Sequence, residues 1–126
     1  MEFNPDNLTD KDIVTRFKKL RQKFNGWIRI YKLKVYTRVA CLYGQANYKS
    51  KLIRVNLRSP DPMNVLLHEC VHAYLYEAKG ARGHTKRFWR TFQRYGGEIM
   101  GYNKQMYKKA VQVDNERGYT KDETSN

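Results

Sequence analysis

Cysteine is nearly absent from this 126-residue chain, with Cys41 and Cys70 its only two. No disulfide framework can be built from them. Two thiols in separate elements, with no apolar leader at the N-terminus, point to a soluble, non-secreted protein of a reducing cell interior. There is also no long apolar run, so no membrane partner is expected. Internal repeats and low-complexity stretches are missing too. With 40% hydrophobic residues, one compact domain over residues 1–113 is expected, followed by a polar tail over residues 114–126.

Acidic residues are missing over a long stretch: Ile13 to Pro60 holds thirteen Lys or Arg and no Asp or Glu, whereas Glu98 to Asn126 holds five of each sign. A block of one sign that also folds must show its charge on a surface. Such a field attracts polyanions, nucleic acid first among them. The plainer alternative is a solvated basic face; a net charge of +13 segregated in this way favours nucleic-acid contact. The residues expected to make it are Arg16, Lys19, Lys23, Arg29, Lys32, Lys34, Arg38, Arg54 and Arg58. Trp27, Tyr31, Tyr36, Tyr43 and Tyr48 interleave with these cations and could stack on unpaired bases, although such rings in strands are more often half-buried packing.

Histidine is scarce but clustered, with all three within seventeen residues: His68, His72 and His84. The first two frame His68-Glu69-Cys70-Val71-His72. On a helix, positions four apart lie one turn up and about 40° round, so two imidazoles can converge on one ion. Zinc then requires a third protein ligand and an open position for water, and Glu69 stands beside the first ligand to take that water's proton. A chance H-E-x-x-H arises in roughly three sequences per thousand of this composition, so coincidence explains it poorly. The setting agrees. Asp61 is a capping residue, Pro62 suits a first turn, Met63 to Lys79 carries the helix, and Gly80 suits its stop. Cys70 points away from the ligand face and reads as core.

Spacing sorts the third ligand. His84 comes twelve residues after His72, too far for the metzincin pattern. It lies in a tight turn before a second helix, Lys86 to Tyr95, whose Phe88, Trp89 and Phe92 form its packed side. His84 is the expected ligand, with Glu98 after Gly96-Gly97 the alternative.

The run Leu66-Leu67-His68-Glu69-Cys70-Val71-His72-Ala73-Tyr74-Leu75, followed by Gly83-His84 and Phe88, resembles the SprT-like family of small zincins, across roughly residues 10 to 100. The resemblance implies His68, His72 and His84 as ligands of one Zn2+ per chain and Glu69 as the catalytic general base. It also implies a strand before the active-site helix, matched by Leu52 to Leu57. Thr85 departs from the family pattern, where a second glycine is usual, and the loop from His72 to His84 is shorter than in Spartan-type members. The four-cysteine zinc ribbon of many members cannot exist here. The substrate is expected to lie along the sheet edge near Tyr43 to Tyr48, again by resemblance.

The expected fold is α+β, a zincin-like, minigluzincin-type single domain. Thr9, Asp12 and a Leu8/Ile13 staple open a first helix with Ile13, Phe17, Leu20 and Phe24 inward. Trp27 to Val39 reads as a strand with a bulge or break, because its apolar phase shifts. Gly44-Gln45-Ala46-Asn47 reads as a hairpin turn. In Leu52 to Arg58, Ile53, Val55 and Leu57 face inward and Arg54, Asn56 and Arg58 outward. A last helix is expected over Lys104 to Val113, giving a three-stranded antiparallel or mixed sheet over the active-site helix, with the second helix carrying the third His. Tyr74, Tyr76, Tyr95, Arg82 and Arg87 are the candidates for stabilising an oxyanion.

Three functions follow as expectations. The first, from the resemblance and the charge, is a monomeric, DNA-associated zinc endopeptidase cutting proteins bound or crosslinked to DNA, single-stranded DNA included. The second is a zinc peptidase with a purely protein substrate. The third is a zinc-containing nucleic-acid-binding module that does not cleave. The first places the protein in the cytoplasm or on DNA.

Overall fold

The structure is a computed structural model that describes residues 9–38 and 42–117. Helix α1 (Asp10–Lys23) opens at Thr9, whose backbone N–H donates to Asp12 Oδ2 at 2.9 Å. The Asp12 carboxylate thereby ties down a first turn whose N–H groups have no helical partner. Leu8, the other half of the expected staple, lies outside the described residues. Ile13, Phe17 and Leu20 are buried at helical spacing.

Strand structure begins only at Lys32, so the expected strand from Trp27 is corrected at its start. Asn25 and Gly26 both take positive φ (54° and 80°) and throw the chain out of α1. Tight turns follow, with Trp27 N–H bonded to Phe24 O, Arg29 N–H to Gly26 O and Tyr31 N–H to Ile28 O, each at 3.0 Å. The phase shift between Ile28/Ile30 and Leu33/Val35 that reads as a bulge falls at these turns, where Ile28 and Tyr31 are buried and Ile30 is 58% exposed.

The sheet comprises β1 (Lys32–Tyr36), β2 (Gly44–Asn47) and β3 (Leu52–Asn56), in the order β1-β3-β2. It is mixed: β1 runs parallel to β3, and β2 antiparallel to it. Gly44 to Asn47 is therefore strand rather than turn. The reversal comes four residues later, where Asn47 Oδ1 accepts from the N–H groups of Lys49 (3.1 Å) and Ser50 (3.0 Å) and Lys51 takes φ 56°. In β3, Ile53 and Val55 face the core as expected, but Asn56 is only 1% exposed and does not point to solvent. Its Nδ2 donates to Arg38 O (2.8 Å) and Leu42 O (3.2 Å), while its Oδ1 accepts from the N–H groups of Arg38 (3.2 Å) and Arg58 (2.9 Å). One buried amide thus holds both ends of the segment joining β1 to β2. Cys41, within that segment, lies outside the described residues.

Helix α2 (Pro62–Lys79) starts where Asp61 accepts from Asn64 N–H at 3.1 Å and stops at Gly80, left-handed with φ 67°. Twelve of its eighteen residues are buried, because it packs against β2 and β3 on one side and against α1 and α3 on others. Leu66, wholly inside, illustrates what this packing contributes: truncation to Ala costs about 2–5 kcal/mol. Cys70 is wholly buried, as expected. Helix α3 (Lys86–Arg94) is capped by Thr85, whose hydroxyl accepts from Phe88 N–H at 3.2 Å, and it buries Phe88, Trp89 and Phe92. His84 stands two residues before α3, in the turn rather than on the helix itself. Helix α4 (Lys104–Arg117) continues past Val113. Among the described residues, no helix is long and apolar enough to cross a membrane.

Candidate metal centre and active site

Because α2 runs through the interior, its histidines are held in place by their surroundings: His68 is 6% and His72 9% exposed. The turn from Gly80 to Thr85 brings His84 back over them. Nε2 of His84 lies 3.0 Å from Nε2 of His68 and 3.1 Å from Nε2 of His72. Two nitrogens at tetrahedral angles, each about 2.05 Å from a zinc ion, stand about 3.3 Å apart, so the three atoms are near the spacing of one coordination sphere. They form a group able to hold a metal ion. Glu98 does not join them. Its backbone is instead tied to the side chain of Asn64, with Glu98 N–H donating at 2.9 Å and Glu98 O accepting at 3.0 Å.

Burial sets the electrostatics. It pushes the pKa of His68 down to about 3 and of His72 to about 2, with neighbouring imidazoles adding to the effect, and it lowers that of His84 as well. All three rings are therefore neutral at physiological pH and offer lone pairs to a cation. The same burial raises Glu69 to about 8, and a divalent ion beside it would draw the carboxyl back toward its ionised form.

Aromatic rings fix the imidazoles. Phe88 stacks on His72 at 4.2 Å and meets His68 and His84 edge-on at 4.8 and 5.1 Å, while Trp89 lies flat against His84 at 5.5 Å. In front of them opens a cavity of about 360 Å³, lined by Leu42, Tyr43, Gly44, Val65, the three histidines, Glu69, Tyr102 and Met106. Gly44 brings β2 to this cavity, since a Cβ there would stand 2.6 Å from Val65 Cγ1 and 3.1 Å from Glu69 Cγ.

Compared with known families, residues 14–108 match the SprT-like family, from α1 into α4. The chain belongs to the SprT-like family. Neither the curated proteins nor the solved structures contain a match to it. Family membership and the histidine cluster together describe a zinc-metallopeptidase-like domain.

In this SprT-like domain the oxyanion candidates read from the sequence lie elsewhere. Tyr74 and Tyr95 pack on Phe24, Tyr76 stacks on Tyr48, Arg82 lies over Tyr48 and Tyr76, and Arg87 lines a different cleft. Tyr102 is the residue that sequence reasoning missed. Its hydroxyl oxygen accepts from Asn64 Nδ2 at 3.1 Å, leaving its own proton to donate, and its ring meets Tyr43 edge-on at 5.0 Å. Burial first, and neighbouring acids after it, keep this phenol protonated. No motif spacing marks a tyrosine thirty residues beyond the second histidine. Of the expected nucleic-acid contacts, Lys19, Lys23, Arg29, Lys32, Lys34, Arg38 and Arg58 are exposed, while Arg16 and Arg54 are half-buried. Lys34 and Arg54 are register partners on the outer sheet face with Lys32, and the Arg54 guanidinium sits 4.8 Å over the Tyr36 ring.

Proposed function

We propose that this SprT-like chain is a zincin-type, zinc-dependent endopeptidase that acts on proteins held on DNA. The observation that carries the peptidase reading is the convergence of three neutral imidazoles beside a buried carboxyl, on a cavity bordered by strand β2. His68, His72 and His84 would hold the ion. Bound there, zinc supplies Lewis acidity, lowering the pKa of a water and polarising the scissile carbonyl. Glu69 accepts a proton from the attacking water and returns it to the leaving amine, a role suited to a carboxyl whose pKa sits above the usual range. Tyr102, whose hydroxyl accepts from Asn64 and so keeps its own proton to donate, would donate toward the carbonyl oxygen as charge builds.

Among the described residues, strand β2 pairs with β3 on one side and forms the sheet edge on the other, so an extended peptide can add as a further strand. Leu42, Tyr43 and Met106, exposed apolar groups on the cavity wall, would receive its side chains. The DNA-associated part rests on the acid-free stretch from Ile13 to Pro60.

Metal analysis of the purified protein, together with cleavage of a DNA-binding protein with and without single-stranded DNA, tests the proposal. One zinc per chain, cleavage that rises with DNA and falls with salt, and loss of cleavage in E69Q with zinc retained are the expected results. Undiminished cleavage by E69Q would overturn the mechanism. Cleavage indifferent to DNA would leave a peptidase of protein substrates, and zinc without cleavage a binding module.

A further inference from the structure

Strand β2 and helix α2 run side by side in the same direction. Near the start of both, Gly44 lies against Val65 and Glu69; farther along, the Tyr48 ring stacks on Tyr76, with centroids 4.2 Å apart and planes 4° from parallel. The metal centre falls between these two levels. His68, His72 and Tyr76 follow at intervals of four on nearly the same face of α2, so Tyr76 stands one turn, about 6 Å, past His72. A peptide laid along the outer edge of β2 therefore crosses the metal centre with Leu42, Tyr43 and Met106 at one end and the Tyr48–Tyr76 pair at the other.

Arg82 lies over that pair, its guanidinium carbon 5.7 Å from the Tyr48 ring centre and 5.1 Å from that of Tyr76. Gly83, at φ 84°, turns the chain between Arg82 and His84, sending the first to the two rings and the second to the imidazoles. Burial first, and the Glu69 charge after it, raise the pKa of the Tyr48 phenol, so this corner shares the field of the catalytic base. Its own charges are unevenly matched. Lys51 Nζ, 5.3 Å from the Tyr76 ring centre, is paired with Glu77 at 2.5 Å, and Glu77 also accepts from Tyr31 OH at 2.9 Å. Arg82 is exposed and has no carboxylate partner among the described residues. A guanidinium resting on rings keeps its N–H fork for a planar carboxylate and has less side-chain freedom left to lose on binding one. A single guanidinium at the end of a strand edge suits one acidic side chain of an extended peptide, whereas a nucleic acid presents its phosphates in rows.

We infer that Arg82 is a specificity-determining residue, holding the side-chain carboxylate of an Asp or Glu of the substrate on the Tyr48–Tyr76 side of the scissile bond. This rests on the peptidase reading and names the substrate chemistry of that site: peptides with an acidic residue at one fixed distance from the bond that is cut.

The test gives a randomised decapeptide library to the zinc-loaded full chain and reads the cut sites by mass spectrometry for wild type, R82Q and R82E. Wild type should enrich Asp and Glu at one position on one side of the cut. R82Q, which keeps a long side chain over the rings, should lose that enrichment, and R82E should turn it toward Lys and Arg. For two defined peptides with Glu or Gln at that position, wild type should show a KM about tenfold lower for Glu at similar kcat, and R82Q a ratio near one. Circular dichroism and zinc analysis check that each variant is folded and that His84, two residues away, still holds its ion. No acidic enrichment in wild type would overturn the inference, as would a Glu-to-Gln ratio in R82Q within twofold of that in wild type. An equal loss on both peptides would overturn it too, making the role of Arg82 structural or, if a thymidine oligomer also binds less tightly, a phosphate contact. Binding of labelled decapeptides with one Glu or Gln at each position in turn, to E69Q and to E69Q/R82Q, keeps the two readings apart. Glu-dependent binding that R82Q abolishes, without cleavage by wild type, leaves the subsite standing and the peptidase refuted; cleavage without acidic preference does the reverse.

Discussion

Gly44→Ala isolates the contact that sets the active-site helix against the edge strand. A Cβ at residue 44 would stand 2.6 Å from Val65 Cγ1, 2.9 Å from the Arg54 carbonyl oxygen and 3.1 Å from Glu69 Cγ. Neither Arg54 O nor Val65, on a buried helix, can swing away, so β2 and α2 must separate by a fraction of an ångström up to about 1 Å. Overpacking of this kind costs roughly 1–3 kcal/mol, which for a domain this size lowers Tm by roughly 5–15 °C. Glu69 moves with the helix, and a displacement of this order at a catalytic base lowers kcat/KM about tenfold or more. None of the three atoms nearest that Cβ belongs to a histidine, and His68 and His72 move together on α2, so zinc content should not change. Gly101→Ala is the matched control, because a Cβ there meets nothing within 4 Å and no positive φ is involved. Differential scanning fluorimetry, zinc analysis and peptide cleavage on both variants decide it. If Gly44→Ala melts with Gly101→Ala and cleaves within twofold of it, the packing reasoning is refuted.

Asn56→Ala strands four backbone groups of the segment from Arg38 to Arg58, so it should lose roughly 2–4 kcal/mol in denaturant titration and raise KM through a loosened Leu42, with zinc retained. Tyr102→Phe removes the donated proton and should lower kcat about a hundredfold with KM little changed; a loss under threefold would remove Tyr102 from the reaction. For the chelator-stripped protein, His68 and His72 are depressed to about 3 and 2 in the fold, so their contribution is complete above pH 6.5 and is lost as pH falls. Glu69, raised to about 8, works in the opposite sense over pH 4.5 to 8 and offsets one histidine. The unfolded imidazoles are only half protonated at pH 6.5, so net proton uptake on unfolding grows from near zero there to about one at pH 5, where the slope approaches roughly 1.4 kcal/mol per pH unit; Tm should fall from pH 6.5 to pH 5 and fall more steeply in E69Q. A flat Tm over that interval would contradict the burial of the histidines.

What was legible in the sequence is what local chemistry decides. Asp61, Pro62 and Gly80 bound α2 because caps and left-handed stops act within one turn, and His68, Glu69 and His72 share its face because helical spacing requires it. His84 was legible for another reason: a third neutral ligand had to come from somewhere, and the chain has no other histidine. Elsewhere tertiary packing overrides local preference. Gly44 reads as a turn residue, yet its missing side chain makes room for Val65 and Glu69. Asn56 sits at an outward position by strand alternation, yet a buried amide is needed there to hold the backbone on both sides. Trp27 to Val39 reads as one strand whose apolar phase shifts between Ile28/Ile30 and Leu33/Val35, yet turns of period three occupy its first part and leave Ile30 exposed. Tyr102 had no local signature, since only the folding back of the chain after α3 brings it to Asn64.

Helix α3 shows how the fold and the site depend on each other. Nine residues are too few for a helix to persist alone in water, so α3 exists because Phe88, Trp89 and Phe92 find partners on α2. Those partners include the imidazoles themselves: His68 lies 4.8 Å from Phe88, 5.6 Å from Trp89 and 5.6 Å from Phe92. Metal-binding histidines usually owe their orientation to a hydrogen bond at the second ring nitrogen, but Nδ1 of His68 is buried with no such partner among the described residues. Ring packing therefore does the orienting. An ion joining His84 to His68 and His72 would clamp the start of α3 onto α2, so the free energy of metal binding would also stabilise α3 and, through it, the aromatic cage that aims the ligands.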